Sequence, residues 1–212
     1  MTIALPRFDR STAAERGLTI ADFLVPVTVA ERLNARVRDS ALIATGALFI
    51  YLTSLIVVPH EPVPWTGQTF GVLMVGGALG LRRGFFAVAL YVLLGYVGLP
   101  FFAEGKGGSA VILGATGGYL IGFILAGAIV GRLAELGWDR HIGGALGMML
   151  IGSVVIYAIG LPWLSVVLHL SVADTIANGL TPFIVWDATK LAIAAGLFPT
   201  AWWLINRRPD DR

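Results

Sequence analysis

Polar and apolar positions in this 212-residue chain fall into long separate blocks rather than alternating. The first 39 residues form a polar lead, with acidic and basic side chains throughout. Apolar stretches then follow in series: Ala41 to Val58, Gly67 to Leu81, Gly84 to Val97, Val111 to Leu133, Ile142 to Leu168 and Gly179 to Ile205. A helix needs roughly 20 apolar residues to cross a bilayer, so the pattern predicts six membrane-spanning helices. The first stretch closes at Pro59-His60-Glu61-Pro62-Val63-Pro64, which cannot continue a helix. Only Arg82-Arg83 separates the second stretch from the third, and both are short for a full crossing. They are expected to be tilted inward, or to begin beneath a loop that folds back over the protein. A loop from Gly98 to Gly108 carries Pro100, Glu104 and Lys106.

Within the lead, Thr28-Val29-Ala30-Glu31 has the form of a capping box, and a short helix through Arg38 would follow it. The lead reads either as a flexible tail or as a helix lying on a membrane surface. It lacks the compact apolar core of a signal peptide.

Composition sharpens the class. Hydrophobic residues make up 57% of the chain and charged ones 13%, with a mean hydropathy of +0.81. Ordinary soluble domains are about 45–50% apolar and about 25% charged, so a cytosolic enzyme is excluded. Without cysteine there is no disulfide framework and no cysteine-based metal site or nucleophile.

The net charge of +2 does not point to nucleic acid, because the arginines are too ordered. Of 13, six precede the first stretch, Arg82 and Arg83 follow the second, Arg132 and Arg140 follow the fourth, and Arg207, Arg208 and Arg212 follow the sixth. In a six-span chain all of them lie on one side. The positive-inside rule makes that side cytoplasmic, with both termini inside. The expected organisation is therefore a cytoplasmic lead at 1–39, a six-span domain at 40–206 and a cytoplasmic tail at 207–212.

Glycines recur at helical spacing in Gly76-xxx-Gly80-xxx-Gly84, Gly114-xxx-Gly118-xxx-Gly122, Gly127-xxx-Gly131 and Gly143-xxx-Gly147. Such faces let helix backbones approach closely, and packing within the chain explains them better than a homodimer seam.

Charge inside an apolar stretch is costly and therefore informative. Asp187 and Lys190, in Pro182-Phe-Ile-Val-Trp-Asp-Ala-Thr-Lys190, share one helical face at i, i+3. Each alone would cost about 2.5–3.5 kcal/mol at a bilayer centre. A purely structural pair is replaceable by apolar packing at little loss, so the pair reads as facing a polar ligand. The alternative is a self-satisfied ion pair that holds the bundle together.

Two further segments lie at the outer ends of other spans. Pro64-Trp65-Thr66-Gly67-Gln68-Thr69-Phe70 offers an aromatic face, two hydroxyls and an amide. Leu113-Gly114-Ala115-Thr116-Gly117-Gly118-Tyr119 bares backbone N–H and C=O groups beside adjacent glycines. Convergence of all three at one level suits a ligand pocket open to the outside.

No phosphate-cradling Gly-rich loop of the P-loop type is present. His60, His141 and His169 lack metal-ligand spacing and read as surface residues. No Ser/His/Asp grouping falls within one membrane layer. Neither an enzyme nor a bound cofactor is expected.

Taken together, Pro64-Trp-Thr-Gly-Gln-Thr-Phe-Gly71, Leu81-Arg-Arg-Gly84, Leu94-Gly-Tyr-Val-Gly-Leu-Pro-Phe101, Leu113-Gly-Ala-Thr-Gly-Gly-Tyr119 and Pro182 through Lys190 closely resemble the BioY family. Its members are the biotin-binding S components of energy-coupling factor (ECF) vitamin transporters. The resemblance spans residues 40–206 and implies an all-α, six-helix S-component bundle in the plasma (inner) membrane, with biotin held near its outer side. It implies substrate contacts from Asp187 and Lys190, a pocket lined by Thr116, Gly117 and Tyr119, and a covering loop that brings Trp65, Gln68 and Thr69 near the ligand. A T subunit and two ATPase subunits are the implied partners, alongside the lipid bilayer. Another small vitamin is the alternative substrate.

Biotin's chemistry matches these side chains. Its ureido group carries two N–H donors and a carbonyl, so Asp187 can accept a charge-assisted bond. Lys190 can donate to the ureido carbonyl or to the tail carboxylate.

Overall fold

Long apolar blocks become helices, and the short polar blocks between them become tight connections. The structure, a computed structural model, describes residues 17–24 and 35–206. In chain order these form α1 (Ile20–Leu24), α2 (Ala35–Ser54), a ladder of β1 (Val57–Val58) with β2 (Trp65–Thr66), α3 (Gln68–Tyr96), α4 (Ser109–Leu113), α5 (Gly117–Glu135), α6 (Ile142–Leu168), α7 (Val172–Gly179) and α8 (Ile184–Asn206). Among the described residues, four helical runs are long and apolar enough to cross a membrane: α3, α5, α6 and Val172–Ile205. Large apolar side chains such as Leu150, Val154 and Val166 are exposed on the outside of the bundle, as a lipid solvent requires.

The second and third apolar stretches fall within α3, which is not one straight helix. Gly80 has φ of 82°, a left-handed backbone that glycine alone adopts without strain. Residues eight apart in a straight helix are about 12 Å apart, yet a Cβ placed on Gly84 would lie 3.0 Å from Gly76 Cα. The chain therefore doubles back, and 68–79 and 81–96 are antiparallel limbs. Arg82-Arg83 was the expected boundary. The break comes earlier because the Leu81 N–H, freed by the reversal, donates to the Glu135 carboxylate at 2.9 Å.

The first limb and the reversal at Gly80 press on α5 through glycine. A Cβ on Gly76 would stand 2.6 Å from Gly127 O, and one on Gly131 would stand 2.4 Å from the Gly80 carbonyl carbon. On another side of α5, a Cβ on Gly122 would come within 3.0 Å of Ile156 Cα in α6. These repeats are seams within the chain. Gly143 has open space around it.

Other boundaries differ from the sequence pattern. Within the described residues α2 runs from Ala35, so Arg36 and Arg38 belong to the same helix as the first apolar stretch, and it ends at Ser54 instead of Val58. Val57 and Val58, β-branched and followed by prolines, instead pair antiparallel with Thr66 and Trp65. The capping box at Thr28 to Glu31 lies outside the described residues. Before α8, the pattern gave no sign of α7, which Ser171 caps by accepting the Asp174 N–H at 3.1 Å.

Arginines gather at one end of the bundle. Asp22 accepts from Arg38 at 3.0 Å and from Arg83 at 2.9 Å, while Asp39 takes Arg83 at 3.0 Å. Burial would raise the Asp22 carboxyl, but the Thr19 N–H and the Arg83 guanidinium outweigh it and hold the group below its ordinary value. Arg140 donates to Leu18 O at 3.2 Å and stands 4.6 Å over the Trp202 ring. Thr19, Ile20 and Ala21 are buried, and Phe23 meets Trp202 edge-on at 5.4 Å. Residues 18–23 thus clasp the arginine end.

Candidate functional site

Opposite the arginine end, the starts of α3, α5 and α8 leave a cavity of about 320 Å³. That volume is in the range of small-molecule sites, roughly 300–1,000 Å³. Its floor is polar and its walls largely apolar.

The floor is a chain of charged and hydroxyl groups drawn from three helices. Lys190 donates to the Asp187 carboxylate at 2.9 Å and to Thr69 Oγ at 2.8 Å. The Tyr157 hydroxyl donates to the other carboxylate oxygen of Asp187. Asp187 is 7% exposed, so this carboxylate is desolvated and depends on those donors. Pro182, in the turn Thr181–Phe183, starts α8 at the depth that puts both charged residues into the cavity. Pairing at i, i+3 accounts for their mutual reach.

The walls come from α5, α6 and two loops. Tyr119, 7% exposed, donates its hydroxyl to Gly179 O at 3.0 Å and presents its ring to the cavity, edge-on to Tyr157 at 6.2 Å. Leu120, Phe123, Ile156 and Phe183 complete an apolar sleeve. Thr116 stands in the break between α4 and α5, which the Trp163 indole fixes by donating to Gly114 O at 2.9 Å.

At the rim, Lys106 pairs with Glu104 at 2.5 Å, and Glu61 from the other loop adds its charge nearby. The Glu104 bond and the two carboxylates push the Lys106 ammonium above its ordinary value. Phe102 anchors that loop by filling the space above Gly95, where a Cβ would meet its ring at 2.2 Å. The Ser54 hydroxyl donates to Phe101 O at 2.9 Å.

Six of the eight residues singled out in the sequence line this cavity: Asp187, Lys190, Thr116, Tyr119, Gln68 and Thr69. Gln68 does so with its amide already engaged, accepting from Thr66 at 3.0 Å and donating to Tyr91. It shapes the wall more than it offers a free hand. Gly117 and Trp65 lie just behind the lining. A Cβ on Gly117 would collide with Ile112 O at 1.7 Å, so its service is to the α4–α5 break. Trp65 stacks on His60 at 5.2 Å and backs that ring.

His60 corrects the reading of the histidines as surface residues. It is partly buried in the loop between β1 and β2, donates from Nδ1 to Val63 O at 3.2 Å, and lines the cavity. Tyr157 was missed. A lone tyrosine hydroxyl midway along a 27-residue apolar helix was the available signal, since a buried O–H needs a partner.

Residues 27–207 match the family model described as the BioY family. A protein of Thermotoga maritima called biotin transporter BioY is 42% identical over 156 residues, covering 74% of this chain and 86% of its own. The biotin transporter BioY2 of Lactococcus lactis subsp. cremoris is 33% identical over 173 residues, covering 79% and 91%. Among solved structures, a crystal structure of the S-component for biotin from an ECF-type ABC transporter superposes with a TM-score of 0.73 at 27% identity, covering 81% of this chain and 95% of that one.

Proposed function

This chain belongs to the BioY family, and from that premise we propose that it is the biotin-capturing S component of an ECF-type transporter in the plasma membrane. The observation that carries the reading is the Thr69–Lys190–Asp187–Tyr157 chain at the floor of an otherwise apolar cavity. Its task is transport, not catalysis. Capture needs a site that holds a neutral, hydrogen-bonding head and an apolar ring at once, and this cavity offers both.

Biotin enters with its ureido ring toward the floor. Lys190 has three N–H donors, of which two already serve Asp187 and Thr69, leaving one for the ureido carbonyl. Asp187 accepts a ureido N–H on a remaining lone pair. A carboxylate in the same place would leave an unbalanced negative charge in a desolvated pocket, which is expensive. The valerate tail therefore points to the rim, where Lys106 is 61% exposed and hydrated. Thr116, Gly117, Tyr119, Trp65, Gln68 and Thr69 shape the enclosure around the ring, directly or from behind.

In the membrane, the two limbs of α3 make separate crossings, giving six with α2, α5, α6 and α8. Both termini face the cytoplasm, since every arginine falls at the end away from the cavity or in the terminal segments. Residues 1–39 and 207–212 lie in the cytoplasm on either side of the membrane domain. A T subunit and two ATPases supply the energy for release inside.

Calorimetry of the detergent-purified chain tests the ligand. Biotin binds one per chain, while thiamine, riboflavin and lipoate do not; binding by one of those in place of biotin overturns the assignment. Orientation is tested with single cysteines, which the parent lacks entirely. A cysteine at Ser109 is labelled by an impermeant thiol reagent in intact cells and one at Ser11 is not. The opposite pattern inverts the topology.

A further inference from the structure

Asp187 is held from both sides, and the second hold has no explanation in ion pairing. Lys190 neutralises one carboxylate oxygen, which is enough to satisfy the charge. The other oxygen accepts the Tyr157 hydroxyl, which crosses from α6 to reach it. Tyr157 itself is placed by its neighbours: Tyr119 stands edge-on to its ring, and Tyr119 is tied to Gly179 O.

A carboxylate with one donor can rotate about its Cβ–Cγ bond. A second donor on the other oxygen fixes its plane, and with it the direction of the two lone pairs that remain open to the cavity. We propose that Tyr157 is a positioning residue of the binding site, whose hydroxyl fixes the Asp187 carboxylate plane so that its free lone pairs meet the ureido N–H of the ligand. The inference rests on the reading of the cavity as a biotin site. It adds a specificity element outside the pair: Tyr157 favours a ligand with N–H donors over one of the same shape without them.

The hydrogen bonding fits this role better than a direct contact. The hydroxyl proton is committed to Asp187, so Tyr157 has only acceptor capacity left for a ligand. Preorganisation of a fixed acceptor lowers the ordering cost at binding rather than adding a contact.

The experiment measures affinities of biotin and of an N-methylated biotin, lacking one ureido N–H, for wild type, Tyr157→Phe, Asp187→Asn and the double variant, with ligand-free thermal unfolding in parallel. Tyr157→Phe is expected to bind biotin about tenfold more weakly, a change of about 1.4 kcal/mol. The same change should cost little toward the methylated ligand, and little more in the Asp187→Asn background. Ligand-free melting should shift far less than binding. A structural role would weaken both ligands alike and lower the melting temperature in step.

An equal loss in the Asp187→Asn background would show that Tyr157 does not act through Asp187, and unchanged biotin affinity in Tyr157→Phe would remove its role altogether. Either result overturns the inference with biotin binding intact. Failure of the wild type to bind biotin would instead strike the ligand assignment on which the inference stands.

Discussion

Lys190→Met abolishes biotin binding while the bundle still inserts and folds. The Lys190 side chain is 12% exposed, and its ammonium joins Asp187 of its own helix to Thr69 of α3. Methionine keeps most of the length and the apolar contacts but removes the charge. The ligand loses a charged donor, a contribution of about 1.5–3 kcal/mol. Asp187 also loses its counter-charge, and leaving one member of a buried pair alone typically costs about 3–5 kcal/mol. Affinity should fall by a hundredfold or more in calorimetry. Lys190→Arg should fail as well, because a planar fork cannot replace a compact ammonium donating in three directions. If the pair served only to hold the bundle, the double variant Asp187→Asn/Lys190→Met would bind like wild type. Restored binding in that variant would move the site elsewhere.

Gly76→Leu leaves no folded protein to purify. A Cβ there would stand 2.6 Å from Gly127 O and 3.0 Å from Gly127 Cα, both backbone atoms with no rotamer to relieve them. Ordinary overpacking costs roughly 1–3 kcal/mol where side chains can shift; here whole helices must part. The control is Gly143→Leu, where nothing lies within 4 Å and the yield and melting temperature should match the parent. A Gly76→Leu protein as stable as the parent would refute the backbone contact between α3 and α5.

Much of this arrangement is written in local pattern. Asp187 and Lys190 stand out because a charge in an apolar helix has few innocent explanations, and their spacing sets their mutual contact. The glycine repeats announced close helix packing, although not which faces would meet. Less legible were features that depend on distant partners. The reversal at Gly80 looked like one more glycine in a small-residue face, because the positive φ that distinguishes it is a property of the folded backbone. Gln68 looked free, but its partner Tyr91 is on the other limb of the hairpin. Tyr157 shows no period or motif, and only the approach of α8 to α6 gives its hydroxyl a purpose. His60 was misread for the same reason: its loop folds inward through the Val57–Thr66 ladder, which two-residue strands do not reveal in advance.

The glycine seam divides the molecule by stiffness. Where Gly76 meets Gly127 and Gly80 meets Gly131, backbone faces backbone and no rotamer can relieve a shift, so this part of the α3–α5 contact resists sliding. The last helix meets α3 through side chains instead, with the Lys190 ammonium on Thr69 Oγ at 2.8 Å and the Phe198 ring over Gly77. One side of the cavity thus rests on a backbone-to-backbone seam and the other on side-chain contacts, which have rotamers to adjust. A molecule seated in the cavity would touch both, and adjustment to it would fall first on the side chains of the last helix.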